Sequence, residues 1–233
     1  MTKKIHILMI TGVMTATTIM TAGLASCEYK DLDEDAMINM ANVRVCIDGT
    51  GVDSIPSTYR VVFYPVDEQA QAVITKGYTA FDMSGLEKTV TIPQGTYNIT
   101  AWNIDTEHVI FNGYGSQQTL CAATPPYSTV EHHGIPDVVD SIYSGQTLYD
   151  YPDYMVHANR TGVSITGETE QTVILPADSM VVDIEYRIGK IAGLEATEMV
   201  RGALNNVAGK RSMAYDNLTK DTVTVMFDCQ YNA

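Results

Sequence analysis

Apolar and polar residues alternate in short runs along most of this chain, the period-two signature of strands buried on one face. Val43, Val45 and Ile47 alternate with Arg44, Cys46 and Asp48, and Asp48-Gly49-Thr50-Gly51 reads as a turn. Tyr59 to Tyr64 predicts a second strand, stopped by Pro65. Residues 72–81 predict a third and Thr89 to Ile92 a fourth. Pro93-Gln94-Gly95 turns the chain into a fifth, Thr96 to Trp102, and Val109 to Phe111 makes a sixth. Residues 112–153 are rich in Gly, Pro, Ser, Thr and Tyr with weak periodicity; a loop of that length in a compact domain is either functional or wrongly assigned as a loop. Pattern returns at Tyr154 to Ala158, Thr172 to Leu175, the alternating Val181 to Ile188, and Thr222 to Asp228. Residues 194–204 suit a short helix or a strand equally well.

Short, evenly spaced strands with Gly, Pro and Asn between them predict an all-β fold of two tandem antiparallel β-sandwich domains. The expected boundaries are 41–157 and 158–233. The second domain has few strands for a closed sandwich, so it reads as small or as part of something longer.

The first 26 residues read differently. A lysine-bearing start (Lys3, Lys4) leads into an apolar stretch from Ile5 to about Gly23, then Leu24-Ala25-Ser26-Cys27. That is the layout of a secretory signal peptide, with a membrane-spanning anchor as the rival reading. The ending resembles a bacterial lipobox, in which the cysteine sulfur is acylated and becomes residue one, so Cys27 is the expected lipidation site. Residues 27–40 would then be a tether, acidic from Glu28 to Asp35. Acyl chains, each methylene contributing about 0.8 kcal/mol, would hold the protein on a membrane.

Charge narrows the partners. The 233-residue chain carries a formal charge of −14, and loss of Lys3 and Lys4 makes the remainder more acidic still. Phosphate backbones would repel it, so no nucleic-acid partner is expected. After Cys27, the three cysteines Cys46, Cys121 and Cys229 are an odd number with no metal-site spacing, read best as small buried apolar residues.

The chain contains no Gly-x-Ser-x-Gly, His-Glu-x-x-His, P-loop or dinucleotide fingerprint, and no catalytic, cofactor or metal residue is expected. Glu131-His132-His133 with Asp137, joined by His157, is the nearest thing to a metal cluster, and reads better as solvated loop histidines. Asn103, Asp105, Thr106 and Glu107 form a polar cluster that reads first as a turn satisfying its own backbone and second as a cation site. Tyr143, Tyr149, Tyr151 and Tyr154, with Asp150 and Asp153, are a candidate ligand surface, since rings pack on sugar C–H groups and carboxylates accept from hydroxyls. The rival reading is a tyrosine-rich loop packed on the fold.

Asp53-Ser54-Ile55, Asp140-Ser141-Ile142, Asp178-Ser179-Met180 and Asp221-Thr222-Val223 share an Asp-Ser/Thr-apolar pattern, where chance gives roughly one match. They resemble the O-glycosylation signal of exported Bacteroidetes proteins, which makes Ser54, Ser141, Ser179 and Thr222 candidate glycan sites. The plainer reading is turn initiation before strands.

Tyr59-Arg-Val-Val-Phe-Tyr-Pro-Val66 and the segment Ile92 to Gly113, with its Pro-Gln-Gly-Thr-Tyr and Asn-Ile-Asp-Thr-Glu, resemble a family of Bacteroidetes lipoproteins of the DUF5119 type. It is related to the fimbrillin and minor-fimbrium superfamily. The acidic residues after Cys27 are similar to the export signals that send such lipoproteins to the outer face of the outer membrane. The resemblance implies sandwiches of transthyretin or immunoglobulin-like type, and surface adhesion or pilus assembly rather than catalysis. It implies fimbrial subunits or glycans as partners and carries no active site. Two rivals stand beside a fimbrium-related component: a stand-alone glycan- or protein-binding lipoprotein, and a secreted hydrolase with an unrecognised site.

Overall fold

A computed structural model describes residues 39–126, 147–167, 169–190, 192–193, 200–215 and 222–229. Alternation becomes burial in the first strand. In β1 (Met40–Asp48), Ala41, Val43, Val45 and Ile47 are buried while Asn42 and Arg44 face out. Asp48 then caps a one-turn 3-10 segment by accepting from the Thr50 amide at 3.1 Å. There follow β2 (Thr58–Pro65), a short helix α1 (Glu68–Val73), β3 (Thr79–Ser84), β4 (Glu87–Pro93) and β5 (Gly95–Asn103). The strands β6 (Ile110–Asn112), β7 (Cys121–Ala123) and β8 (Leu148–Asp150) are three residues each. The last five are β9 (Val156–Ile165), β10 (Gln171–Ser179), β11 (Arg201–Ala208), β12 (Lys210–Ser212) and β13 (Thr222–Asp228).

Seven strands form one sheet in the order β3-β2-β5-β9-β10-β1-β4, antiparallel except where β1 runs parallel to β10. Residues from all seven meet in one cluster, among them Val43, Phe63, Met83, Ile92, Ile99, Val156 and Leu175. The sheet therefore curls around its own inner face, and its two edge strands, β3 and β4, are joined by a short turn at Gly85.

Much of β2 and β5, and the first three residues of β9 (Val156, His157 and Ala158), are buried on both faces. Their outer face carries Val62, Tyr64 and Trp102 into a second cluster with Leu120, Ala122, Met155, Met180 and Met213. This cluster lies beneath a small sheet, β12-β7-β6. The third sheet, β11-β13-β8, contributes nothing to either cluster among the described residues.

Two expectations change. Residues 72–81 are not one strand: Asp67 accepts from the Ala70 amide at 2.8 Å and starts α1, and the chain enters β3 only at Thr79. A good cap ahead of Glu-Gln-Ala-Gln outweighs the β preference of Val73 and Ile74. Val181 to Ile188 alternates as expected but belongs to no sheet, and Val182 is 80% exposed. Residues 112–153 conceal β7 and β8. Strands on both sides of residue 157 share the large sheet, because β9 starts at Val156 and pairs with β5. Of the undecided stretch 194–204, Arg201 to Leu204 lies in β11.

Candidate functional site

The polar cluster after β5 is a fold element. Asn103 is buried; its Oδ1 accepts from the Val156 amide at 2.8 Å, and its Nδ2 donates to Asp105 Oδ1 at 2.9 Å and the Tyr154 carbonyl at 3.2 Å. Asp105 Oδ2 accepts from the Ser57 amide at 2.9 Å and from its hydroxyl at 3.1 Å. Asp153 accepts from the Glu107 and His108 amides, both at 2.6 Å. The carboxylates thus spend their lone pairs on backbone and neighbouring side chains. Burial opposes ionisation of Asp105, but hydrogen bonds from Asn103 and Ser57 prevail and hold it below the usual carboxylate range.

The structure disperses the candidate tyrosines. Tyr154 packs against the first core and its hydroxyl accepts from the Ser54 amide at 3.4 Å. Tyr151 is exposed and stacks on His108, ring centroids 6.2 Å apart. His108 Nδ1 lies 3.1 Å from the buried carboxylate of Asp150. Tyr149 instead lines a groove of about 770 Å³ between the two small sheets, with Asn112, Ala123, Asn206, Lys210 and Thr224 contributed by the other five strands. Asn206 adopts a left-handed backbone, φ 61°, at the irregularity between Leu204 and Val207 in the β11–β13 ladder. Tyr143 lies outside the described residues, as do Cys27, Ser141, Glu131, His132, His133 and Asp137.

Among the candidate glycan sites, Ser54 and Thr222 are exposed. The Ser179 hydroxyl is engaged, donating to the Val181 carbonyl at 2.8 Å, as a turn-forming serine does. Cys46, Cys121 and Cys229 are half-buried free thiols. His157 is buried in β9 with Nδ1 3.3 Å from Asn159 Nδ2. Among the described residues no group of three or more His, Cys, Asp or Glu is arranged to hold a metal.

A second concave feature escapes the sequence. A cleft of about 540 Å³ opens on the outer face of β2 and β3, lined by Arg60, Asp82, Tyr78 and Tyr114. Arg60 and Asp82 are directly opposed cross-strand partners, and the guanidinium makes two bonds of 2.7 Å to the carboxylate. Arg60 beside Asp82 holds that carboxyl below its usual value. Tyr114 packs on Trp102 at 6.0 Å, and Tyr78 on Tyr64 at 6.1 Å. The Tyr64 hydroxyl is buried with no hydrogen-bond partner among the described residues, and burial pushes its ionisation up. The loops meet closely: a Cβ on Gly77 (φ 77°) would lie 3.5 Å from the Gly115 carbonyl oxygen. The Arg60–Asp82 pairing needs a strand register that no local pattern shows.

The family model described as a domain of unknown function, DUF5119, matches residues 26–228. A Bacteroides ovatus protein provisionally assigned as the fimbrium anchoring subunit Fim4B is 25% identical over 126 residues, 54% of this chain and 35% of the relative. The chain thus matches about a third of that relative's length. A solved Bacteroides ovatus structure, provisionally assigned as an adhesin, superposes with TM-score 0.63 at 18% identity, over 89% of this chain and 67% of the other. A Bacteroides thetaiotaomicron structure provisionally assigned to polysaccharide-binding proteins (DUF1812) has a TM-score of 0.48 at 8% identity, over 79% of this chain and 64% of the other. The resemblance seen in the FYP and Asn-x-Asp-Thr-Glu segments is therefore one of membership: the chain belongs to the DUF5119 family.

Proposed function

We propose that this chain is a surface-exposed outer-membrane lipoprotein, held by lipid at Cys27, that serves as a non-catalytic fimbrium-related adhesion or structural component. The observation that carries the reading is an exposed, strand-patterned apolar segment. Val182, Ile184, Tyr186 and Ile188 are exposed outside any sheet, with Tyr186 stacked on Phe227 of β13 at 6.4 Å; β13 also lines the groove of about 770 Å³ between the two small sheets. An apolar strand-patterned segment without a sheet gains from pairing with a strand of a neighbouring subunit, whose main chain bonds while its side chains pack. The fimbrium anchoring assignment of the Bacteroides ovatus relative supports the same reading.

Shearing surface material from cells that make the protein, followed by immunoblotting after unboiled denaturing electrophoresis, tests it. A ladder of high-mass species is expected. A single cell-retained band near monomer mass would favour the stand-alone binding lipoprotein instead. Metabolic labelling with a fatty acid should be lost in Cys27→Ser, and the intact mass of native protein should exceed peptide plus lipid if Ser54 and Thr222 carry glycans.

A further inference from the structure

We propose that the cleft on the outer face of β2 and β3 binds a neutral sugar residue of a glycan, with Tyr78 and Tyr114 as its aromatic walls and the Arg60–Asp82 pair as its polar contact. The site is separate from the groove between the small sheets, so it holds whether or not the protein polymerises.

Three observations converge. The volume, about 540 Å³, is in the range of small-molecule sites. Tyr78 and Tyr114 are each half-buried and backed by a buried aromatic ring, Tyr64 and Trp102 respectively. Rings held from behind lose little freedom when a ligand packs on them, which lowers the cost of binding. An amphipathic phenol ring suits a sugar, whose C–H face is apolar and whose hydroxyls are wet. The Arg60–Asp82 pair is bidentate yet only partly covered, with side chains 35% and 48% exposed; Arg60 also engages Tyr114, and its further N–H groups and the carboxylate lone pairs remain for a ligand. Vicinal hydroxyls donate and accept at once, which matches a donor–acceptor pair.

Charge selects the class. Among the lining residues Asp82 cancels Arg60, and the nearby Lys88 is already engaged, its Nζ on the Asp82 carbonyl at 2.7 Å and over the Phe81 ring, so the cleft wall presents no unpaired cation to capture a carboxylate or sulfate. The chain's formal charge of −14 further disfavours anionic glycans. A hydroxyl-rich neutral hexose or N-acetylhexosamine meets no such penalty.

The test is an array of neutral, sialylated and uronic-acid oligosaccharides probed with the full chain, with hits followed by saturation-transfer NMR. Binding to neutral glycans is expected, weakened at least about ten-fold by Tyr114→Ala and by Tyr78→Ala, as truncated aromatic anchors behave. Tyr114→Phe, which keeps the ring, should retain most binding, and Tyr149→Ala, in the other groove, should leave it unchanged. Melting of each variant separates lost binding from lost fold, and Asp82→Asn supplies a polar-contact variant if Tyr114→Ala unfolds. No neutral glycan bound by the parent, preference for anionic glycans, or binding indifferent to both folded Tyr78 and Asp82 variants would each overturn the proposal.

Discussion

Asn103 closes the end of β5 onto β9 through a side chain: its Oδ1 takes the Val156 amide at 2.8 Å, while its Nδ2 reaches across to the Tyr154 carbonyl at 3.2 Å. The residue belongs to the Asn-x-Asp-Thr-Glu segment that marks the family resemblance. Its chemistry is structural, because a buried backbone donor left unmatched costs about 1–3 kcal/mol.

Asn103→Ala should therefore lower stability by roughly 2–4 kcal/mol, since it strands the Val156 amide and frees Asp105 from one partner. Urea unfolding followed by the fluorescence of Trp102, the one tryptophan, measures it. A loss well below 1 kcal/mol would mean that water replaces the amide at no cost.

Asp67 should confer stability that acid removes. The Ala70 amide, with further help from Thr96, holds its carboxyl below the usual value of 3.8. A carboxyl more acidic in the folded state stabilises fully above the unfolded value and loses that contribution as pH falls through the folded one. Asp67→Ala should cost about 1–2 kcal/mol at neutral pH and less near pH 3, shown by parallel urea titrations. An equal cost at both pH values would place the effect in packing rather than charge.

Alkali should attack the first core through its tyrosines. Burial raises Tyr59 and Tyr97 to about 12, with Asp105 adding at Tyr59 and Asp67 at Tyr97. Groups that resist ionisation in the fold stabilise it below the unfolded value of 10, and the stabilisation fades as pH climbs from 10 toward 12. Absorbance at about 295 nm should show a late tyrosinate phase, from Tyr59 and Tyr97, that coincides with loss of near-ultraviolet circular dichroism.

Gly113 should not tolerate a side chain. Its φ is 78°, and a Cβ there would fall 2.0 Å from the Thr119 carbonyl oxygen. Gly113→Ala should cost more than about 2 kcal/mol and displace Tyr114 from Trp102, visible as a shift in Trp102 emission.

Ile184→Asp should leave the melting temperature of the monomer within about 2 °C, because the side chain is already 58% exposed. It should reduce the high-mass ladder if residues 182–188 take part in assembly. Ladder formation at the parental level would exclude that segment.

The all-β character was readable residue by residue, because burial on one face of a strand leaves a period of two in the local sequence. Val43, Val45 and Ile47 in β1, and Tyr97, Ile99 and Ala101 in β5, point inward as their alternation requires. The structural role of the Asn103–Asp105 cluster was also readable, since short polar side chains after a strand find backbone amides nearby. The start of α1 rests on one capping carboxylate, Asp67, a weaker local signal than the β preference of Val73 and Ile74 that follow.

Partnership was not in the local pattern. Val181 to Ile188 alternates as well as β1 does, yet only β1 finds strands on both sides, β10 and β4. Whether a strand is paired depends on residues more than a hundred positions away, and nothing in its own period records that. The same reason hid the cleft: Arg60 meets Asp82 through strand register, and Tyr78 and Tyr114 face one space through two loops that touch near Gly77 and Gly115. Alternation along the chain set which face of each strand is apolar; the tertiary structure decided which strands became neighbours, and with them every concave surface, because long-range pairing is a cooperative outcome of the whole core.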